Sequence, residues 1–272
     1  MLTRTFSAWN DHNAPRLGAA LAFYALLSLA PLVLLVTAIL ALIFGHSSAA
    51  NQLLGQVTNW IGPQGSDAVK AVIGQAQKPA SGMFASIAGV ITLLFGASGV
   101  FVELKSALDT IGEVPAGSGG GIWGIVKQRA FSIGMVIAVG FLLLVSLLIS
   151  AALAALGKFY GRFLPIPEFV LSAIDVVVSL GGIAVLFALI FRYVPRRRIP
   201  GRDICIGAAV TAVLFTAGKF AIGLYLGKAA VGSAYGAAGS LVAVIIWVYY
   251  SAMIFLFGAE FTHVLGTRTV RR

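Results

Sequence analysis

The segment Phe84 to Lys105 reads FASIAGVITLLFGASGVFVELK, a long apolar run with a stripe of small residues on one helical face. That face carries Ala85, Gly89, Thr92, Gly96, Gly99 and then Glu103. Small residues let neighbouring helix backbones approach closely, which is how helices associate in a membrane. We therefore expect this helix to be central in a bundle. Glu103 should point towards protein or a water-filled cavity, because a charge facing lipid is costly.

The overall composition is that of a membrane protein. Of the 272 residues, 59% are hydrophobic and 10% are charged, and the mean hydropathy is +0.98, whereas a soluble domain carries about 25% charged residues. The net charge of +10 would favour nucleic acid as a partner of a soluble protein. In a membrane protein it reflects loops that face an anionic leaflet, so we expect no nucleic-acid partner. The single cysteine, Cys205, excludes an intramolecular disulfide, and we expect it to be a small buried side chain.

Six apolar segments are long enough to cross a bilayer, which takes about 20 residues. They predict an all-α, polytopic membrane protein in which residues 1–272 form a single integral membrane domain. The predicted transmembrane helices are 18–44, 84–108, 131–156, 169–193, 204–226 and 240–264. Pro31 lies within the first helix and is expected to kink it, because the proline ring disrupts the preceding turn.

The segment between the first two spans is too polar to cross the membrane. Apolar residues nevertheless recur in it at helical spacing on both sides of Gly62 and Pro63. They are Leu53, Leu54, Val57, Trp60 and Ile61, then Val69, Val72, Ile73 and Ala76. This pattern predicts two short amphipathic helices on the membrane surface, in the first extracytoplasmic loop.

Basic residues are distributed unequally between the two ends of the predicted bundle. The amino terminus, the second and fourth loops and the carboxyl tail hold 13 of the 19 lysines and arginines, and the other loops hold 5. Because cytoplasmic loops are enriched in lysine and arginine, both termini are predicted to be cytoplasmic.

Six short motifs are distributed along the chain: GAALAFYALLSLAP (18–31), FRYVP (191–195), Gly207-Ala208, Tyr235-Gly236, WVYYS (247–251) and Gly258-Ala259-Glu260. Through these motifs together, the chain resembles the YihY/BrkB family of bacterial inner-membrane proteins over nearly its whole length. Where the family often has Ala-Leu-Asn, this chain has Ala107-Leu108-Asp109. The resemblance implies six helices in a bacterial plasma membrane. It implies less about activity, because the family carries an old ribonuclease BN label that is regarded as misassigned, and some members are linked to lipid or lipopolysaccharide export.

A ribonuclease would need carboxylates or histidines that converge on metal ions. The candidates at the cytoplasmic end are Asp11, His12, Glu103, Asp109, Glu113, Asp203, Glu260 and His263. Glu260 and His263 have the spacing of a di-iron Glu-x-x-His motif, but the sequence has no second copy. A phosphate-binding loop is absent from the sequence as well. We therefore expect no enzyme activity, no metal site and no cofactor.

Charges inside the predicted spans are the main pointers to function, because ionisable groups within a bilayer are costly and usually functional. The candidate intramembrane polar site consists of Asp175, Lys219, Glu103 and Glu260. The candidate cytoplasmic rim consists of Arg16, Arg129 and Arg192, and the candidate aromatic lining of Trp247, Tyr249 and Tyr250. Glu103 is expected to face Glu260 or an arginine. Ion pairs that only hold helices together would account for both glutamates equally well.

Asp175 and Lys219 are the two charges set deepest in apolar sequence. They lie about six and eight residues from the predicted outer boundary, hence roughly 9 to 12 Å deep. Each lies on a small-residue face of its helix. We expect them to meet as an ion pair or to line one polar cavity open to the outer leaflet. A purely structural clamp is the alternative.

The favoured function is an inner-membrane transporter or lipid-handling protein for an amphipathic anion, such as a lipid or a lipopolysaccharide precursor. The basic rim, the aromatic set, the Pro31 kink and the amphipathic helices favour it, although each also has a purely structural explanation. The alternatives are an envelope scaffold without transport activity and, less favoured, a membrane-bound ribonuclease. Membrane lipids are the expected partners, and the sequence leaves a homo-oligomer open.

Labelling in whole cells tests the predicted topology. Tags at both termini should be reachable only from the cytoplasm, because the basic loops lie on that side. A Gln64→Cys side chain should react with a membrane-impermeant maleimide added outside. If Gln64→Cys reacts only after the membrane is permeabilised, the six-span topology with both termini inside is wrong.

Overall fold

The computed structural model describes residues 1–44, 51, 53–55, 57–58, 63–76, 99–115, 134, 168–228 and 239–270. Within these residues every regular element is an α-helix, which confirms the all-α prediction. The longer helices are α1 (Leu2–Asp11), α2 (Ala14–Phe44), α3 (Pro63–Ala76), α4 (99–111), α5 (Glu168–Tyr193), α6 (Gly201–Lys228) and α7 (Gly239–Val270).

Four of the predicted spans coincide with the long helices α2, α5, α6 and α7. Residues 99–108 of the second predicted span are helical, and the third lies outside the described residues apart from Gly134. By length and composition, two described segments could cross a membrane, Gly201–Tyr225 and Gly239–Thr267. Ala14–Leu29 and Ser179–Tyr193 are shorter apolar segments. The count of six spans therefore stays a prediction.

Helices α1 and α2 are joined by a tight turn at His12 and Asn13. Asn13 has a φ of 51°, a left-handed conformation that asparagine tolerates better than most residues. Its carbonyl oxygen accepts the backbone N–H groups of Arg16 and Leu17 and so starts α2. The first helix predicted from the sequence was 18–44, so α1 was not anticipated. Helix α2 continues through Pro31 as one helix, and the kink stays a prediction.

Helices α6 and α7 pack antiparallel through two reciprocal glycine–threonine contacts. Thr262 of α7 lies against Gly207 of α6, and Thr211 of α6 lies against Gly258 of α7. Both threonines are buried, and each hydroxyl donates a 2.7 Å hydrogen bond to the glycine carbonyl four residues earlier in its own helix. Because each hydroxyl is satisfied within its own helix, the threonine can face a neighbouring backbone without leaving a buried polar atom unpaired.

Aromatic side chains join α5 to this helix pair. The Phe187 ring lies 5.6 Å from that of Phe215 on α6 and 5.8 Å from that of Phe255 on α7. The Phe191 and Phe255 ring centroids are 5.3 Å apart. Offset and tilted aromatic contacts at these separations are favourable beyond the area that they bury. Helix α7 is therefore in contact with both members of the α5–α6 hairpin.

The carboxyl end of the small-residue stripe, at Gly99, lies close to α2. A methyl group added at Gly99 would lie 3.1 Å from Cδ1 of Tyr24 on α2, so the two helices approach closely there. Further along α4, Ala107, Leu108 and Ile111 are buried in the main hydrophobic core. Residues 84–98 of the stripe lie outside the described residues.

Helix α3 confirms the second of the two predicted amphipathic helices. Its buried residues Val69 and Ile73 pack with Val33 of α2. Residues 53–55 and 57–58 are also helical, and the apolar ones among them join the same cluster. The apolar face of this segment therefore contacts protein, and its predicted location on the membrane surface stays a prediction.

The expectation that Cys205 is buried is wrong. The cysteine is exposed on α6, whereas Gly207 and Ala208, two and three residues further on, are buried. Hydropathy does not distinguish the faces of a helix that is apolar all round. Only the packing of α6 against α7 determines which face is buried.

Gly207→Ala is expected to destabilise the bundle by about 1–3 kcal/mol, the usual cost of overpacking. The new methyl carbon would lie 2.8 Å from Cβ of Thr262. Thermal unfolding of the purified protein in detergent measures the loss as a lower Tm.

Gly223→Ala on the same helix is the matched control, because a methyl group there meets nothing within 4 Å. Its Tm should be unchanged or slightly raised, since alanine favours helix over glycine. Gly207→Ala combined with Thr262→Ala should recover part of the loss. An unaltered Tm for Gly207→Ala alone would contradict the close contact.

Candidate functional site: a basic cleft at one end of the bundle

One end of the bundle collects α1, the connection between α5 and α6, Glu113 after α4 and the carboxyl end of α7. These segments surround an open cleft of about 1180 Å³. The sequence predicted that the amino terminus, the second and fourth loops and the carboxyl tail share one side, and parts of all four meet here. The structure carries no membrane, so the assignment of this end to the cytoplasm stays a prediction.

The cleft has a basic lining. Four arginines, Arg4, Arg197, Arg198 and Arg202, line it together with the carboxylates of Glu113 and Asp203, a net charge of +4 − 2 = +2 before His12 and His263 are counted. Within the described residues, Arg4, Arg198 and Arg202 form no ion pair. Their side chains are exposed and can therefore contact a ligand.

Two other basic residues of the α5–α6 connection have partners in the protein. Nη1 of Arg197 donates a 3.1 Å hydrogen bond to the carbonyl oxygen of Gly112 and lies 3.9 Å from the Glu113 carboxylate. The backbone N–H of Arg196 donates a 2.9 Å hydrogen bond to Asp109, whose second oxygen lies 3.6 Å from Arg196 Nε. Asp109 therefore positions the connection beside the cleft.

A buried pair joins the amino-terminal turn to α7. Nδ1 of His12 lies 2.5 Å from Oε1 of Glu260, although the two residues are 248 positions apart in sequence. The Glu260 side chain is fully buried and the His12 side chain is 20% exposed. A carboxylate without solvent is costly unless it is paired, so His12 supplies the partner that allows Glu260 to be buried.

The pair leaves part of Glu260 unsatisfied. Its second oxygen, Oε2, is buried and has no hydrogen-bond partner within the described structure. The same is true of Oδ2 of Asp203, which lies in the first turn of α6 beside the cleft. Such atoms are rare in folded proteins and are usually satisfied by water or take part in function.

Glu260 belongs to the candidate intramembrane polar site predicted from the sequence, and its expected neighbour was Glu103 or an arginine. The structure pairs it with His12 instead. Glu103 is partly exposed on α4, and no ion pair or hydrogen bond joins it to a described residue. Arg16 and Arg192 are exposed and have no ion pair within the described ranges. Arg129 lies outside those ranges. The only sequence signal for His12 as a functional residue was its polar side chain.

The Asp175–Lys219 pair stays a prediction. Asp175 lies in α5, but its side chain is outside the described part of the structure. Nζ of Lys219 on α6 lies 5.2 Å from the ring centroid of Phe220, within the range of a cation–π contact.

The three residues of the candidate aromatic lining contact two of the helices that neighbour α7, which are α2 and α6. The Trp247 ring lies 6.4 Å from that of Phe215 on α6. Tyr249 approaches Gly18 of α2, and Tyr250 approaches Gly218 of α6. None of the three is among the residues that line the cleft. Their described contacts are packing contacts between α7 and its two neighbours.

Metal binding has no support in the described residues. Among them, no three His, Cys, Asp or Glu side chains are grouped so that they could hold a metal ion. Glu260 pairs with His12 and forms no ion pair with His263, the second residue of the Glu-x-x-His motif. His263 lines the cleft instead.

Comparison with known proteins identifies similar chains. The family model described as Virulence factor BrkB matches residues 5–272. A UPF0761 membrane protein of Alteromonas mediterranea is 30% identical over 254 residues, 90% of this chain and 81% of that protein. A UPF0761 membrane protein of Cronobacter sakazakii is 30% identical over 264 residues, 94% and 85% of the two chains. The UPF0761 membrane protein YihY of Salmonella arizonae is 40% identical over 81 residues, 29% and 28% of the two chains. No solved structure matches this chain.

The buried pair predicts an asymmetry between single and double substitutions. His12→Ala should lower the stability by about 3 kcal/mol, because it leaves the Glu260 carboxylate buried without a partner. His12→Ala combined with Glu260→Gln should be more stable than His12→Ala alone, because glutamine carries no charge. Tm values in detergent measure the order of the variants.

Asp11→Ala is the control for this comparison, because Asp11 is exposed and adjacent to His12. Its stability should stay within about 0.5 kcal/mol of the parent. Additive losses in the double variant would show that His12 and Glu260 are energetically independent.

Proposed function

The chain belongs to the family described as Virulence factor BrkB, a family of helical membrane proteins, and we propose that it binds an amphipathic anion and moves it across the inner membrane. A lipid or a lipopolysaccharide precursor has the required chemistry. The observation that carries the proposal is the open cleft, where Arg4, Arg198 and Arg202 form no ion pair with any described residue and lie where the long apolar helices begin or end.

The arginines suit a phosphate or carboxylate headgroup. A guanidinium group stays charged at all physiological pH values and can bind such an anion through two parallel hydrogen bonds. Arg198 and Arg202 lie on either side of Pro200, close to the amino terminus of α6. Backbone N–H groups at a helix amino terminus add further attraction for an anion.

The apolar part of the lining suits an alkyl chain. Ile199, Ile206 and Val264 line the same cleft as the arginines. A volume of about 1180 Å³ exceeds the roughly 300–1,000 Å³ typical of small-molecule sites. It has room for a polar headgroup together with part of an acyl chain.

The position of the cleft favours a ligand that reaches it from the membrane. Gly201–Tyr225 begins beside the cleft, and Gly239–Thr267 ends there. With the predicted orientation, the headgroup of a lipid in the cytoplasmic leaflet would lie at this level. Movement across the membrane needs a path beyond the cleft, for which the predicted polar residues Asp175 and Lys219 are the candidates.

Removal of cleft arginines is expected to weaken the binding of anionic lipid. Native mass spectrometry of the full chain measures its affinity for phosphatidylglycerol against that for phosphatidylcholine. Arg198→Gln and Arg202→Gln should each bind phosphatidylglycerol about fivefold more weakly, because a basic residue near an anionic lipid contributes roughly 1 kcal/mol.

Lys70→Gln is the matched control. Lys70 is an exposed cation on α3, and α3 packs at Val33, about 28 Å along α2 from Ala14. Affinity for phosphatidylglycerol that is equal in the parent and in both arginine variants would rule out the cleft as the binding site. Transfer of a fluorescent phosphatidylglycerol between leaflets of proteoliposomes then tests movement. Binding without transfer would favour the scaffold alternative.

A further inference from the structure

Helix α1 turns its small and polar residues towards the bundle. Thr5 is fully buried, Ala8 is partly buried and His12, which follows the helix, contacts Glu260. At positions i, i+3 and i+7 they form one stripe. In a helix on the surface of a soluble protein, this inner stripe would carry the large apolar side chains.

The large apolar side chains of α1 form a different stripe. Leu2 and Phe6 are 64% and 61% exposed. They are four residues apart and therefore adjacent on the helix surface. The Phe6 ring stacks on that of Trp9, with centroids 5.8 Å apart, and Trp9 itself is partly buried against the main hydrophobic core. Covering side chains of this size with an apolar environment stabilises a protein. An apolar environment beside this stripe would therefore contribute substantially to the stability of α1.

A third stripe of α1 is polar and exposed. It consists of Thr3, Ser7 and Asn10. The helix thus has one face on the bundle, one apolar face and one polar face. An amphipathic helix that lies in a membrane interface has the latter two faces, with the apolar one in the boundary between headgroups and acyl chains.

The depth of α1 agrees with such a position. The apolar segment of α7 ends at Thr267, and Glu260 lies seven residues before that end, a rise of about 10 Å. His12 contacts Glu260 directly, so the carboxyl end of α1 lies at that level. Interfacial helices bury their apolar face about 5–10 Å into the boundary region. The first apolar segment of α2 begins at Ala14, immediately after the turn.

We propose that α1 is an interfacial helix, and that the stripe formed by Leu2 and Phe6 inserts into the lipid leaflet at this end of the bundle. The occupant of the stripe is the lipid surface itself. Arg4 and Ala8 of the same helix line the cleft, so α1 separates the cleft from the surrounding lipid. This inference does not depend on what the cleft binds.

Spin labelling of the full chain tests the proposal. Nitroxide labels are attached to Leu2→Cys and Phe6→Cys, and to Thr3→Cys and Ser7→Cys as matched controls on the polar stripe. Each is made with Cys205→Ser, because Cys205 is exposed and would otherwise react. The protein is placed in nanodiscs of phosphatidylethanolamine and phosphatidylglycerol. The collision rates of each label with oxygen, which partitions into lipid, and with a water-soluble nickel complex are then measured.

The oxygen-to-nickel ratio is expected to be severalfold higher at Leu2 and Phe6 than at Thr3 and Ser7. Similar ratios on the two stripes would place both in water and overturn the proposal. Exclusion of both reagents from Leu2 and Phe6 would mean that protein covers the stripe, and would also overturn it. Two positions on each stripe keep the result independent of the folding of any one variant. Loss of anion binding at the cleft would leave these ratios unchanged.

Discussion

The close contact between α6 and α7 is the constraint on which the rest of the described structure depends. Gly207 and Gly258 leave room for a threonine of the opposite helix, so the rotation of α7 about its own axis is determined. Glu260 lies midway between Gly258 and Thr262 in sequence. Two residues along a helix correspond to a rotation of about 200°. The glutamate must therefore point away from α6, towards α1 and the start of α2.

That orientation has a consequence for the amino terminus. A carboxylate that faces the interior of the bundle needs a partner, because burial removes its hydration. His12 supplies it, and the left-handed conformation of Asn13 allows the chain to turn there between two helices. The contact between α6 and α7 therefore determines the position of α1. It orients Glu260, whose hydrogen-bond partner comes from neither α6 nor α7 but from His12.

Charge serves two different purposes at this end of the bundle. In the buried pair it is neutralised by its partner and holds α1 in place. In the cleft, Arg4, Arg198 and Arg202 form no ion pair within the part of the chain that the structure describes, where Asp109 pairs with Arg196 and Glu113 with Arg197. Helix α1 borders the cleft through Arg4, and Phe6 is exposed on another face of the same helix. An amphipathic anion complements these two surfaces, with an anionic group for the arginines and an apolar chain for the apolar side chains.

Local properties of the chain were sufficient to predict the helices, because apolar length and a period of 3.6 residues can be recognised without knowledge of neighbouring elements. The helices α2, α5, α6 and α7 and the amphipathic helix α3 are examples, although α2 begins four residues before its predicted start and α7 ends six residues after its predicted end. The uneven distribution of lysine and arginine likewise indicated which segments share one end of the bundle. The sequence also identified Glu260 as a residue that needs an explanation. Its partner His12, the exposure of Cys205 and the cleft between α1 and α7 were decided only by the tertiary structure. They depend on which face of each helix meets which neighbour, and a helix that is apolar on all sides carries no periodic signal for that choice.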